Sequence, residues 1–263
     1  MVSGQLPEMA ALLEFLLIAL FVMPADLAAR IQANVRSVRE RIAAAATAAG
    51  RAADDVTLVA VAKYVDVATT RLLVDSGCRD LGESRPQKLW EKAAALTDPE
   101  IRWHLIGHLQ RNKIRRTLPL VHLFHAADSL RLLAELDEEA AALPRAKSQV
   151  LLEVNVSGDA AKHGFTSSEL PRLADELAKL EHLDIRGLMT MTGLEADPDA
   201  ERRQFAELRE LRDRLRRDWL GRFTLDELSM GMSGDFEAAI AEGATIVRVG
   251  SALFEGIDFG IVP

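Results

Sequence analysis

From residue 56 onward, short apolar runs of strand length alternate with stretches whose apolar residues recur at helical spacing, the pattern of repeated βα units and a parallel sheet. The runs are Val56–Ala62, Arg79–Leu81, Ile101–Ile106, Leu120–Ala126, Val150–Val156, Ile185–Met191, Leu225–Met230 and Ala244–Leu253. Helical periodicity covers Leu27–Ala49, Ala68–Ser76, Pro86–Leu96, Leu130–Leu143, Ser168–Leu180 and Asp199–Leu220. Eight strands, most of them separated by one helix, predict an α/β fold: a single (β/α)8 barrel of TIM type spanning residues 23–263. A helix precedes strand one and almost nothing follows strand eight. That first helix is therefore expected to cover the wall that a last helix would otherwise cover.

The run Met9–Met23 breaks the pattern. It is strongly apolar but carries Glu14 and is shorter than the roughly 20 residues a spanning helix needs. It also lacks the basic start of a secretory signal, since Glu8 is the only charge before it. Residues 1–22 are accordingly expected to be an extension outside the working protein, with no membrane as partner.

Composition narrows the partners. With 32 basic against 40 acidic residues the chain carries a net charge of -8, so no global basic field exists to hold a nucleic acid. Its one cysteine, Cys78, excludes an internal disulfide and suits a reducing, cytoplasmic setting.

In such barrels chemistry gathers where strands end at their C-terminal side. Here those ends are polar: Lys63, Glu83 with Ser84, His108, Asp128 with Ser129, Asn155, Thr190, the stretch Ser229–Ser233, and Arg248–Ser251. A lysine closing the run VTLVAVA has its stem among apolar walls. Its amine is either a nucleophile for a carbonyl or an ordinary cation paired with Glu83 or Asp66. The loop Met230–Asp235 and the stretch Arg248–Ser251 follow the last two strands, the habitual phosphate position of this fold, although Ser233 could instead cap the helix that follows. His104 and His108 share a strand face, yet four residues at about 3.3 Å each hold them too far apart to chelate one ion, and no metal is expected. An amine and a phosphate cradle on one rim fit pyridoxal 5'-phosphate (PLP) or a phosphorylated sugar held by an aldolase.

The stretches VAVAKYV, DLGESRPQ, WHLIGHLQRNKIR, EVNVSGDAAKHGF, IRGLMTM and LSMGMSGDFEAAIAEGATIVRVGSALF, in this order, resemble the pyridoxal phosphate homeostasis protein family. The resemblance implies a barrel like the N-terminal domain of alanine racemase, with PLP held by Lys63 as an aldimine. It implies Arg248 near the pyridine nitrogen and phosphate contacts from Ser233, Gly250 and Ser251. Ser251 stands where the family usually has threonine, and Ser84 where it commonly has asparagine, so a cofactor contact there would be shortened or bridged by water. Asn155, His163 and Met189 also fall in family motifs.

An arginine beside the ring nitrogen disfavours the pyridinium and weakens the electron sink that carbanion chemistry needs. A two-base racemase further needs an acid/base opposite the lysine, and the one tyrosine, Tyr64, adjoins Lys63. The chain is thus expected to carry or regulate PLP, without efficient turnover, in intracellular PLP and amino-acid homeostasis, as a monomer serving PLP-dependent apoenzymes. The alternative is a PLP enzyme of racemase or decarboxylase type acting on a small amino acid.

Overall fold

The computed structural model describes residues 6–144, 146–159, 163–192 and 197–257, with side chains from Asp26 onward. Eight parallel strands close on themselves: β1 (Thr57–Val61), β2 (Asp80–Glu83), β3 (Arg102–Leu105), β4 (Val121–Ala127), β5 (Ser148–Asn155), β7 (Leu183–Met189), β8 (Glu227–Ser229) and β9 (Ile246–Val249). β4 pairs with β5 and β9 with β1, so the expected barrel is formed and has no free edge. A two-residue strand, β6 (Phe165–Thr166), pairs with the end of β5 and was not foreseen from the pattern. Gly187 of β7 is required by this closure: a Cβ there would stand 1.9 Å from the carbonyl oxygen of Glu227 on β8.

Helix α1 (Leu6–Ala48) precedes β1 and packs against α8 (Phe236–Ala241), α2 (Val67–Asp75) and the short 3-10 turn Ser251–Phe254 that ends the barrel. Its buried stripe is Ile31, Val35, Val38, Ile42 and Ala46, spaced three or four residues apart as a core-facing helix requires. Asn34 donates to the carbonyls of Leu253 and Glu255, tying the chain after the last strand to this helix. The wall is thus closed by the first helix, as expected. The helix begins earlier than the predicted Leu27, because the Ala- and Leu-rich residues before it favour helix as well. The segment Met9–Met23 lies where side chains fall outside the described residues. Among the described residues, no helix is long and apolar enough to cross a membrane.

The remaining helices are α3 (Pro86–Ala95), α4 (Ile114–Thr117), α5 (Leu130–Ala140), α6 (Ala174–Leu177) and α7 (Pro198–Asp218). Their starts follow from local chemistry: Asp66, Ser129 and Asp197 each accept an amide two or three residues into their helices. The expected helix Ser168–Leu180 is instead a 3-10 turn, Leu170–Arg172, followed by the single turn α6. Pro171 fits the start of a short turn but removes a donor that a longer helix would use.

Between barrel and helix layer, Lys92 of α3 is 1% exposed and donates to Glu83 Oε2 at 2.7 Å and to the carbonyl of Ala62 at 2.6 Å. Glu83 Oε1 accepts the amides of Ser84 and Arg85. One buried ion pair therefore fastens the residue before Lys63 to the turn that carries Ser84. Removing the lysine leaves a buried carboxylate uncompensated, a loss of about 3–5 kcal/mol. Lys92→Ala is expected to lower unfolding stability in urea by that order, and pairing it with Glu83→Gln should recover part of the loss.

Candidate functional site

Lys63, Ser84, Ser233, Gly250, Ser251 and Arg248 all line one cleft of about 540 Å³ at the C-terminal mouth of the barrel, together with Val61, Tyr64, Ile106, Met191, Met232 and Phe254. Every residue singled out for the cofactor from the sequence is thereby brought to a single site, although these residues come from four strand ends. The volume is that of a small-molecule pocket.

Lys63 is half-buried two residues past β1. Neither anticipated partner holds it, because Glu83 is bonded to Lys92 and Asp66 caps α2. Its ammonium stands over the Tyr64 ring, 4.8 Å from the centroid. Tyr64 is 66% exposed, so it is a wall of the cleft rather than a packing aromatic behind the strand.

Opposite in chemical character is the pair of loops after β8 and β9. Gly231 takes a φ of +93°, and a Cβ there would come within 2.6 Å of the Ala239 side chain, so only glycine lets the loop turn this tightly onto α8. Asp235 then accepts the Met232 amide and the Thr192 hydroxyl, fixing the loop. Ser233 is not the cap of α8, the alternative its position allowed; Asp235 occupies that place. Instead the Ser233 hydroxyl oxygen accepts the amides of Gly250 and Ala252 at 3.1 and 3.3 Å. Those two bonds hold the loops after β8 and β9 together, so that the hydroxyl-bearing Ser233 and Ser251 line the cleft beside Gly234 and Gly250, and a Cβ at Gly234 would meet nothing within 4 Å. Such a set of donors beside open space suits a phosphate.

Arg248 lies inside the barrel, 5% exposed. Its guanidinium donates to Ser229 Oγ at 2.6 Å and to the Thr190 carbonyl at 2.9 Å. Burial pushes it down to about 10, while Asp235 and Glu153 hold it up, so it remains a cation at neutral pH. Behind it runs a buried polar chain: Ser229 Oγ to His125 Nδ1 at 2.9 Å, His125 Nε2 to His104 Nδ1 at 2.9 Å, and His104 Nε2 to Asp80 Oδ1 at 2.9 Å. Asp80 ends the chain in a bidentate pair with Arg102. Burial drives His125 well below the usual imidazole range, so its ring is neutral. One donor order satisfies the whole chain: Arg248 donates to Ser229, Ser229 to His125, His125 to His104, and His104 to Asp80. The line of donors leads from the cleft to the far side of the core.

A second polar group occupies the neighbouring rim. Glu153 of β5 is buried, and its carboxyl is pushed up to about 7 by burial and by the like charge of Asp128, against the pull of Arg248. Near it are His108, Asp128 and His163. Asn155 turns to its own loop, donating to the Asp159 carbonyl, and Met189 is buried in the core. Neither lines the cleft. The buried chain and Glu153 were missed from the sequence, although an acid inside the run VLLEVNV and a histidine inside VHLFHAA were the available signals.

The family described as alanine racemase, N-terminal domain, matches residues 27–257. The chain is 43% identical over 231 residues to the pyridoxal phosphate homeostasis protein of Pseudomonas aeruginosa, covering 88% of this chain and 97% of that one. It is 39% identical over 217 residues to the protein of the same name from Aquifex aeolicus, covering 82% and 94%. Among solved structures, PipY of Synechococcus elongatus with PLP bound superposes with a TM-score of 0.76 at 34% identity, covering 85% of this chain and 99% of that one.

Burial alone would raise the Asp80 carboxyl, but the hydrogen bonds from Arg102 and His104 outweigh it and hold the group well below the ordinary value of 3.8. A carboxylate depressed in the fold contributes stability above its unfolded value, and that contribution is lost as pH falls through the folded one. Asp80→Asn is therefore expected to be less stable than the parent chain in urea at neutral pH, with the gap narrowing steadily below about pH 4. A gap independent of pH would contradict the assigned charge.

Proposed function

Because the chain belongs to the pyridoxal phosphate homeostasis proteins, a family built on the alanine racemase N-terminal domain, we propose that it binds PLP in this cleft and serves intracellular PLP and amino-acid homeostasis. The observation that carries the reading is the convergence of a lysine amine, a phosphate-type cradle and a buried guanidinium on one cleft. The residues present fit the group. PLP supplies an aldehyde that condenses with a primary amine, an aromatic ring and a phosphate. Lys63 would offer the amine, Ser233, Gly250 and Ser251 would hold the phosphate, and Arg248 would face the ring nitrogen. Ser84, fixed at its backbone by Glu83, would contribute a hydroxyl at the side of the cleft.

We read the protein as a carrier or regulator rather than an efficient enzyme. A guanidinium that keeps its charge in the barrel opposes protonation of a ring nitrogen next to it. Among the described residues lining the cleft, the titratable side chains are Lys63, Tyr64 and Arg248, and Tyr64 stands against Lys63 instead of across from it. Proton transfer by a placed acid or base is worth about 10²- to 10⁴-fold in rate, whereas cofactor exchange needs neither group. Glu153 favours the second reading, a racemase- or decarboxylase-type enzyme, since a carboxyl near 7 on the same rim could exchange protons. The partners we propose are PLP and PLP-dependent apoenzymes in the cytoplasm, with the chain acting as a monomer. In support, the large apolar side chains exposed among the described residues are Tyr64, Leu120, Met191 and Leu220, two of which belong to the cleft.

PLP-loaded protein offered the common amino acids should racemise, decarboxylate and transaminate none of them at appreciable rate, yet should activate a PLP-dependent apoenzyme. Robust turnover that disappears in Lys63→Ala would establish the enzymatic reading instead. We further propose that residues 1–22 are dispensable, in keeping with a family match that starts at residue 27. A chain starting at Met23 should show the unfolding midpoint and PLP affinity of the full chain, and a clear drop in either would assign those residues a role.

A further inference from the structure

Beside the PLP cleft, on the sector of the rim formed by β3, β4 and β5, stands a cluster that the proposed function does not use. His108 follows β3, Asp128 follows β4 and His163 follows the loop after β5. One ligand atom from each lies within 4.8 Å of those of the other two. Nδ1 of His163 is 3.7 Å from Oδ2 of Asp128, and the two imidazole rings meet edge to face with centroids 4.2 Å apart. A separate observation points at the same place: Glu153 is 4% exposed, its Oε2 lies 3.9 Å from Nε2 of His108, and that oxygen has no hydrogen-bond partner among the described residues.

Two imidazoles and two carboxylates stand together in this sector, one carboxylate oxygen of them buried and unpartnered among the described residues. Such a donor set suits a small divalent cation. Tetrahedral zinc holds nitrogen and oxygen ligands at about 2.0–2.1 Å, which sets neighbouring ligand atoms roughly 3.4 Å apart. The 3.7 Å between His163 and Asp128 is close to that spacing, the other pairs lie within 4.8 Å, and His163, whose side chain is 66% exposed, has room for the remaining adjustment. Mixed imidazole and carboxylate donors select zinc, cobalt or nickel over magnesium or calcium, which take oxygen ligands.

We propose that His108, Asp128 and His163 form a binding site for a zinc-class divalent cation, with Glu153 as the outer carboxylate beside His108. A carboxylate in that position orients a ligating imidazole and raises its basicity. The site is not the His104 and His108 pair considered from the sequence. His104 lies on β3 and is bonded into the core, whereas His108 lies past the strand's end, where barrel closure brings it against residues from the next two strand ends. Occupation would tie the loop bearing His163 to the ends of β3 and β4, at the edge of the mouth through which PLP would pass.

The test is titration of the metal-stripped full chain, with and without PLP, using Co2+ as a spectroscopic probe and then Zn2+ as competitor. One equivalent of Co2+ with the visible absorption of tetrahedral coordination, displaced by Zn2+ and seen in both preparations, is expected. His163→Ala and Asp128→Asn should each weaken Zn2+ binding by at least about 10-fold, the lower end of what loss of even an outer partner costs. Their PLP absorption should be unchanged, since neither residue lines the cleft. The proposal is overturned if no saturable binding occurs, if binding requires PLP, or if it survives unchanged in His163→Ala. That variant alters an exposed side chain, so retained circular dichroism keeps the comparison valid should Asp128→Asn fail to fold.

Discussion

A guanidinium enclosed in a closed barrel has to be compensated, and the compensation of Arg248 organises the interior of this protein. The cation is not neutralised by a carboxylate in direct contact. It is anchored through a line of polar side chains, Ser229, His125 and His104, that run across the barrel to Asp80 and the outer Arg102. Partners from β2, β3, β4, β8 and β9 take part, so the chain of hydrogen bonds also pins strands on opposite sides of the barrel to one another. Each link is a buried polar group whose loss would orphan its neighbour, at about 1–3 kcal/mol apiece. The position of Arg248 in the cleft is therefore set by the whole core and not by a loop.

The amine side of the cleft rests on a different device. Lys92 and Glu83 sit between barrel and helix layer, and through the Ala62 carbonyl and the Ser84 and Arg85 amides they fasten two adjacent strand ends. Lys63 follows Ala62 directly, so the root of its side chain is held while its tip stands in the cleft over the Tyr64 ring. A rigid arginine, a rooted lysine and a glycine-shaped pair of loops describe a site suited to retaining one ligand. An exposed tyrosine and an exposed Met191 at its mouth leave room for that ligand to leave.

Much of this was legible beforehand because it depends on period and position. Alternating runs predict eight strands, and strands must end at a rim, so Lys63, Ser84, Ser233, Arg248, Gly250 and Ser251 were bound to share one face once the barrel closed. What escaped detection was pairing between distant residues. Lys92 occupies a place on the apolar stripe of α3 between Leu89 and Leu96, and its partner nine residues away cannot be read from periodicity. His125 and Ser229 are 104 residues apart and meet only across the interior. The segment between β3 and β4 reads as irregular because its single helical turn, α4, is flanked by 3-10 turns too short to show a period. Glu153 was hidden for the opposite reason, since an acid at a strand end looks exposed until the neighbouring strands bury it.

The central claim is that one lysine, rooted at the end of β1, is the point at which PLP is held. Reduction of the PLP-loaded chain with borohydride, followed by peptide mapping, tests it most directly, because reduction fixes the bond between the amine and the aldehyde carbon wherever it has formed. A single reduced adduct on Lys63, absent from Lys63→Ala while that variant keeps its fold, is the predicted result. An adduct on another lysine, or an undiminished one in Lys63→Ala, would contradict the account.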